Sequence, residues 1–297
     1  MKLFRFIRVS VYIILIQSRL IFSASSDPVF GENGMVVSAS HQASEAGVEI
    51  LKKGGNAVDA AVTVGFVLAV TSSANGNIGG GGFMVSALSD GSVFSLDYRE
   101  KAPAAAHRDM YLDPDGDIVE GMSLYSRAAS GVPGSVDGLL KALADYGSGN
   151  INRRQALAPA IRLAEKGFIL SHYEATRLNH NKDLFKQNEA AAEIFVRKDG
   201  RSWQAGDRLF QADLARTLKR ISKHGRDGFY RGHVADLIVA EMKRGNGFIS
   251  HEDLKNYSSV YRTPVTGSFH EYGILSMGPP SSGGALLVNM MNMLENY

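Results

Sequence analysis

The chain has 297 residues, of which 44% are hydrophobic and 21% are charged, a composition typical of folded globular proteins and not of disordered ones. It contains no cysteine, which excludes disulfides, thiolate metal ligands and cysteine nucleophiles. Its formal net charge is only +2 and its basic residues are dispersed, so the sequence gives no sign of a nucleic-acid partner.

The first 25 residues have the layout of a secretory signal peptide. Basic residues precede an apolar run at residues 9–16, and small residues follow at 23–25. The apolar run is too short to span a bilayer, so a cleaved signal explains it better than a retained membrane anchor. We therefore expect a periplasmic or secreted protein whose folded part comprises residues 26–297.

Two helices are predicted in the next part of the chain. Apolar residues recur with the helical period from Ser40, and the lysines and glycines of residues 52–55 end this first helix. Asn56, with Asp59 three residues later, forms a capping box for the second helix. Residues 60–70 are almost entirely apolar, which indicates a buried helix.

A β-hairpin is predicted after the four glycines at residues 79–82. Its strands cover residues 83–88 and 92–98, joined by a short turn that contains glycine. The alternation of the second strand places Asp97 and Arg99 on one face. The other face is apolar and consists of Phe94, Leu96 and Tyr98.

Helices dominate the middle of the chain, and strands return near its end. Helical patterns cover residues 154–166, 211–223 and 234–244. Ser250 and Asp253 form a second capping box. Strands at residues 264–269 and 272–277 precede a final helix with Leu287, Met290, Met291 and Leu294 on one stripe. This order indicates one α+β domain in which helices cover antiparallel sheet.

Several kinds of reactive site do not fit the sequence. The four glycines resemble a phosphate-binding loop, but such a loop leads into a helix and this one leads into a strand, which favours a close-packed turn. No histidine pair has the spacing of zinc ligands, and Ser135 is misplaced for a nucleophile elbow. We expect neither a metal nor a cofactor.

Arg99 is the candidate binding residue. A guanidinium can bind a carboxylate through two parallel hydrogen bonds, as the α-carboxylate of an amino-acid substrate requires. The alternative is a structural salt bridge to Asp97 or Glu100, and the local pattern alone favours that alternative.

Six short segments, taken together and in this order, indicate a family. They are NAVDAA (56–61), GGGGFMV (79–85), LDYREKAP (96–103), GVPGS (131–135), GFYRG (228–232) and PPSSGG (279–284). With them the chain closely resembles the large-subunit part of the γ-glutamyltransferases, also called glutathione hydrolases. The resemblance extends from about Val29 to the end of the chain.

The resemblance implies an N-terminal-nucleophile hydrolase with an αββα sandwich, made as a precursor that cleaves itself into two subunits. In such enzymes a threonine of the small subunit attacks the γ-glutamyl carbonyl of glutathione or of another γ-glutamyl compound. The glutamyl group then passes to water, to an amino acid or to a dipeptide. The resemblance also implies that Arg99 binds the α-carboxylate of the substrate.

The family's nucleophile segment, which resembles Thr-Thr-His-Tyr-Ser, does not occur in this chain. We therefore assign no catalytic residue and expect residues 26–297 to be an incomplete large-subunit domain that is inactive alone. Activity would require a small subunit that carries the threonine. The alternatives are a non-catalytic fragment, the partner chain of a split enzyme, and a related acylase that acts on other amides.

Overall fold

The computed structural model describes residues 28–72 and 74–295. The predicted signal peptide, residues 1–25, lies outside the described residues. A boundary after Met35 divides the chain into two units. The described part of the first unit, residues 28–35, contains no helix or strand. In the described part of the chain, no helix has the length and apolar character needed to cross a membrane.

The second unit is built mainly of helices, with short strands between them. The helices are α1 (His41–Lys52), α2 (Ala57–Thr71), α3 (Met122–Tyr125), α4 (Ser135–Tyr146), α5 (Arg153–Lys166), α6 (His172–His180), α7 (Lys182–Lys186), α8 (Glu189–Phe195), α9 (Ala212–His224), α10 (Asp227–Tyr230), α11 (Gly232–Arg244), α12 (His251–Asn256) and α13 (Gly283–Leu294). The strands are β1 (Phe83–Ala87), β2 (Val93–Asp97), β3 (Phe168–Ile169), β4 (Arg208–Leu209), β5 (Val260–Arg262), β6 (Val265–Phe269) and β7 (Tyr272–Ser276).

The strands form small antiparallel sheets. The predicted hairpin is confirmed: β1 pairs with β2, with Phe83 opposite Asp97. Strand β5, which the sequence pattern did not predict, adds to the other side of β2 and makes β2 the central strand of three. Strands β3 and β4 form a second sheet, and the predicted strands β6 and β7 form a third.

Local capping signals fix the start of several helices. The side chain of Asn56 accepts hydrogen bonds from the backbone of Val58 and Asp59, and Asp59 bonds back to the backbone of Asn56. Ser250 and Asp253 form the same reciprocal pair at α12. Both predicted capping boxes are therefore confirmed, because each satisfies backbone N–H groups that the first helical turn leaves without partners.

Helix α2 lies at the centre of the hydrophobic core. It packs against α1, α4 and α5, so apolar side chains on nearly all its sides are buried. Val62, Phe66 and Val67 are fully buried. Each such side chain stabilises the fold by about 1.5 to 3 kcal/mol relative to an exposed one. The prediction of a buried helix over residues 60–70 is confirmed.

Asp137 connects α4 to the chain that enters β5. Its Oδ1 accepts a hydrogen bond of 2.7 Å from Nε of Arg226. Its Oδ2 accepts bonds of 2.8 Å from the backbone N–H and 2.7 Å from the hydroxyl of Ser259. Asp137 is buried, so these donors replace the water that its carboxylate loses on folding.

We predict that Asp137→Asn lowers the free energy of unfolding by about 3 kcal/mol, because it leaves the partly buried guanidinium of Arg226 without its carboxylate. Urea unfolding followed by circular dichroism measures the change. The matched control is Asp183→Asn, whose ion pair with Lys186 is exposed, so its loss is expected to change the stability much less. Equal effects of the two substitutions would contradict the prediction.

Candidate functional site

The side chain of Arg99 lies just beyond the end of β2 and is 55% exposed. Its Nε donates a hydrogen bond of 3.3 Å to Oε2 of the neighbouring Glu100. The guanidinium carbon lies 5.6 Å from the centre of the Phe83 ring. Within the described residues, the two terminal nitrogens have no hydrogen-bond acceptor. The guanidinium is therefore open to a further carboxylate.

The two salt-bridge partners considered for Arg99 behave differently. The Glu100 contact is present. Asp97 instead accepts a bond of 2.7 Å from Nε of Arg262 and binds only the backbone N–H of Arg99, at 3.0 Å. The hydroxyl of Ser95 also donates a hydrogen bond to the backbone carbonyl of Arg262. Ser95 and Asp97 are thus buried, whereas the side chains of both Arg262 and Arg99 remain partly exposed, at 41% and 55%; Arg262 is bound to a buried carboxylate and Arg99 to an exposed one.

The backbone of Arg99 is held from several sides. The hydroxyl of Tyr257 donates a hydrogen bond of 2.8 Å to the Arg99 carbonyl. Next in the chain, Lys101 exchanges backbone hydrogen bonds of 3.2 and 2.7 Å with Val132. Together with the bond from Arg99 N–H to Asp97, these contacts fix the chain direction at the point where the side chain leaves it.

Glycines pack directly against this backbone. A methyl group at Gly81 would overlap the Tyr98 carbonyl and lie 2.8 Å from Cα of Arg99. One at Gly134 would overlap the same carbonyl, and one at Gly138 would overlap Cβ and the ring of Tyr98. Real Cβ contacts are longer, so only glycine fits at these positions. Of the close-packed turn predicted for residues 79–82, the close packing is present at Gly81, while Gly82 pairs with Tyr98 and only the first residues of the run form a turn.

Two tyrosines, Tyr98 and Tyr257, also support the backbone at Arg99. Burial raises the pKa of Tyr98 to about 12. Burial also raises the pKa of Tyr257, and the nearby carboxylates of Asp137 and Asp97 add to the shift. Both rings are therefore neutral near pH 7, and the hydroxyl of Tyr257 keeps the proton that it donates to the Arg99 carbonyl.

Four of the six sequence segments that indicated the family lie together around Arg99. The Gly80 carbonyl accepts backbone bonds from Gly134 and Ser135, which joins the GGGGFMV and GVPGS segments beside Arg99. The hydroxyl of Tyr230, in GFYRG, donates to the Pro133 carbonyl at 2.8 Å. The NAVDAA and PPSSGG segments have other positions, at the starts of α2 and α13.

Within residues 28–72 and 74–295, no cluster of three or more histidine, aspartate or glutamate side chains is placed to hold a metal ion. That the protein works without a metal or a cofactor stays a prediction.

We predict that Gly81→Ala lowers the free energy of unfolding by about 1 to 3 kcal/mol or more, because the new methyl group displaces the backbone at Tyr98 and Arg99. Gly79→Ala, in the same glycine run, is the matched control. A methyl group there lies 3.5 Å from its nearest neighbour, an ordinary contact, so we expect a change below about 1 kcal/mol. Urea unfolding of both variants decides, and a destabilisation by Gly79→Ala as large as that by Gly81→Ala would refute the close-contact explanation.

Comparison with known proteins identifies relatives over almost the whole chain. The γ-glutamyltranspeptidase family model matches residues 43–297. The glutathione hydrolase proenzyme of Pseudomonas sp. (strain A14) is 50% identical over 278 residues, which are 93% of this chain and 48% of the relative. The corresponding proenzyme of Escherichia coli (strain K12) is 45% identical over 271 residues, or 91% of this chain and 46% of the relative. The chain thus spans about half the length of these curated relatives.

The fold agrees with these matches. The crystal structure of Helicobacter pylori γ-glutamyltranspeptidase superposes with a TM-score of 0.88 at 43% identity, covering 91% of this chain and 77% of that one. The predicted α+β class of the N-terminal-nucleophile hydrolases is confirmed by such neighbours. The chain belongs to the γ-glutamyltranspeptidase family.

Proposed function

We propose that this chain is the α-carboxylate-binding part of a γ-glutamyl hydrolase or transferase that acts on glutathione and other γ-glutamyl compounds. Arg99 binds the free α-carboxylate of the glutamyl group. The observation that carries the proposal is a half-exposed guanidinium, with both terminal nitrogens open among the described residues, on a backbone held by Tyr257, Asp97 and closely packed glycines.

The energetics favour a substrate over the neighbouring glutamate. The contact between Arg99 and Glu100 uses one nitrogen and is exposed, and ion pairs of that kind contribute about 0 to 1 kcal/mol. A carboxylate that approaches both terminal nitrogens forms two parallel, charge-assisted bonds, each shorter and stronger than a neutral hydrogen bond. The Phe83 ring supports the guanidinium through its face.

In the proposed enzyme the reactive threonine belongs to a small subunit. Its hydroxyl attacks the γ-glutamyl carbonyl, and its own free amine takes the proton. The γ-glutamyl amide bond then breaks, the proton passes to the departing amine, and a glutamyl ester of the threonine remains. Water or the amine of an amino acid or dipeptide acceptor cleaves this ester and frees the threonine hydroxyl. This chain contributes substrate positioning at the opposite end of the glutamyl group. The signal layout of residues 1–25 supports a periplasmic or secreted location for the enzyme.

We predict that the purified chain alone releases no glutamate from a γ-glutamyl anilide, because positioning without a nucleophile leaves the covalent step unavailable. Release of the anilide chromophore measures turnover. The matched sample contains the same chain co-produced with a small subunit that carries the threonine, and we expect turnover there. Turnover by the chain alone would contradict the division of roles, and none in either sample would favour a non-catalytic chain.

We further predict that Arg99→Lys, in the completed enzyme, lowers kcat/KM for the γ-glutamyl anilide on the order of tenfold to a hundredfold, because lysine keeps the charge but loses the paired bonds. Arg108→Lys is the control, since Arg108 is almost fully exposed and, among the described residues, pairs only with the adjacent Asp109. Equal kinetics for Arg99→Lys and the parent would refute the assignment. Unchanged selectivity for glutamyl over other acyl groups would favour an acylase.

A further inference from the structure

A second cavity lies away from Arg99, between the end of α2 and the α6–α8 segment. Its volume is about 280 Å³, near the lower end of the range for small-molecule sites. One wall contains Thr71 and Asn75. The apolar part of the lining includes Phe168, Leu170, Leu178, Leu184, Phe185 and Phe195. Such a lining suits a compact apolar group.

Two side chains of opposite charge line this cavity. Glu174 and Arg177 both line it and lie three residues apart on α6, one helical turn from each other. Despite this spacing, among the described residues neither has an oppositely charged partner within 4.0 Å. Glu174 accepts the backbone N–H of Ser171 through Oε2 alone, at 2.6 Å, and Arg177 donates to the Tyr173 hydroxyl through Nη1 at 2.9 Å.

Both charged side chains can form further hydrogen bonds. The second carboxylate oxygen of Glu174 and the other guanidinium nitrogens of Arg177 have no partner within the described part of the chain. An apolar molecule would leave both charges unused, and a lone anion or cation would use one of them. A small zwitterion with an apolar side chain matches all features: its ammonium faces Glu174, its carboxylate faces Arg177, and its side chain enters the apolar lining.

We propose that this cavity binds a free amino acid with an apolar side chain, such as leucine or phenylalanine. The site goes beyond the proposed function and does not depend on it, because Arg99 and the residues that support it are absent from the lining. Occupancy bridges α6 to the loop after α2, so the ligand stabilises the folded chain by mass action.

The test is calorimetric titration of the full chain with L-leucine, L-phenylalanine, glycine, isoamylamine and 4-methylpentanoate. We expect leucine and phenylalanine to bind, and each of the other three to bind at least tenfold more weakly. Glycine leaves the apolar lining empty, and the two singly charged analogues each lack one ionic partner. Absence of leucine and phenylalanine binding would overturn the proposal, as would equal affinity for the analogues.

Substitutions at Glu174 and Arg177 test whether these residues bind the two charged groups of the amino acid. Glu174→Gln removes the charge and keeps the capping box at Ser171, since glutamine also serves at that position. Arg177→Met removes the other charge and keeps an apolar stem. We expect each to weaken leucine binding on the order of tenfold or more. Arg154→Met, an exposed arginine on α5 outside the cavity, is the matched control and keeps full affinity.

A last variant separates this site from the one at Arg99. Arg99→Lys is expected to bind leucine with unchanged affinity. Loss of binding in that variant would place the amino acid at Arg99 and overturn the second site. Normal leucine binding with normal γ-glutamyl kinetics in Arg99→Lys would support the cavity and refute the proposed function, so the two can fail independently.

Discussion

The contact between the glycine backbone at Gly81 and the backbone of Tyr98 and Arg99 is the constraint on which the site depends. Any side chain at Gly81 would occupy the space of the Tyr98 carbonyl. Because Gly82 and Tyr98 also exchange backbone hydrogen bonds of 3.2 and 3.0 Å, the glycine run continues the β1–β2 pairing past the end of the hairpin. The backbone is therefore still hydrogen-bonded at Tyr98, directly before Arg99. An unpaired loop at this position would be more mobile.

Three arginines in this region show how burial decides the role of a charge. Arg226 and Arg262 each donate to a buried carboxylate, Asp137 and Asp97, and their charges are used to satisfy those groups. Breaking the pair of Arg226 and Asp137 would leave a buried charge without its partner, which costs several kcal/mol, on the order of 3 to 5. Arg99 has only an exposed contact of low energy with Glu100. The first two arginines therefore hold the structure together, while Arg99 can exchange its partner at little cost.

Sequence patterns predicted the elements that are fixed by neighbours in the chain. The capping boxes at Asn56 and Ser250, the β1–β2 hairpin and the helices that end at glycine all follow from contacts a few residues apart. Helix α4 was missed because Gly134 and Gly138 reduce the helical signal, although both glycines are required by the packing against Tyr98. Strand β5 was missed because it has three residues and is recognisable only when paired with β2.

For the candidate site, the sequence suggested a central residue but not the contacts that support it. Arg99 was identified by resemblance, whereas the partners of Asp137 lie 89 and 122 residues away in sequence. No local pattern encodes such distances. The GVPGS segment was recognisable as a family signature, but the signature alone did not show that its glycine touches the Tyr98 carbonyl. The glycine-rich composition of both segments was the available signal, since clustered glycines outside a repeat indicate close backbone approach.

In the proposed enzyme, rigidity at Arg99 matters more than the strength of its bond to substrate. An interaction with the α-carboxylate is equally available before and during attack on the distant γ-carbonyl, so by itself it lowers KM and leaves kcat unchanged. It raises kcat only if it places the carbonyl within reach of the nucleophile, where small displacements cost large factors in rate. A guanidinium on a flexible loop would bind the same carboxylate without fixing that position. The glycine packing, the Tyr257 hydrogen bond and the Asp97–Arg262 pair are thus the features that would convert binding energy at Arg99 into positioning.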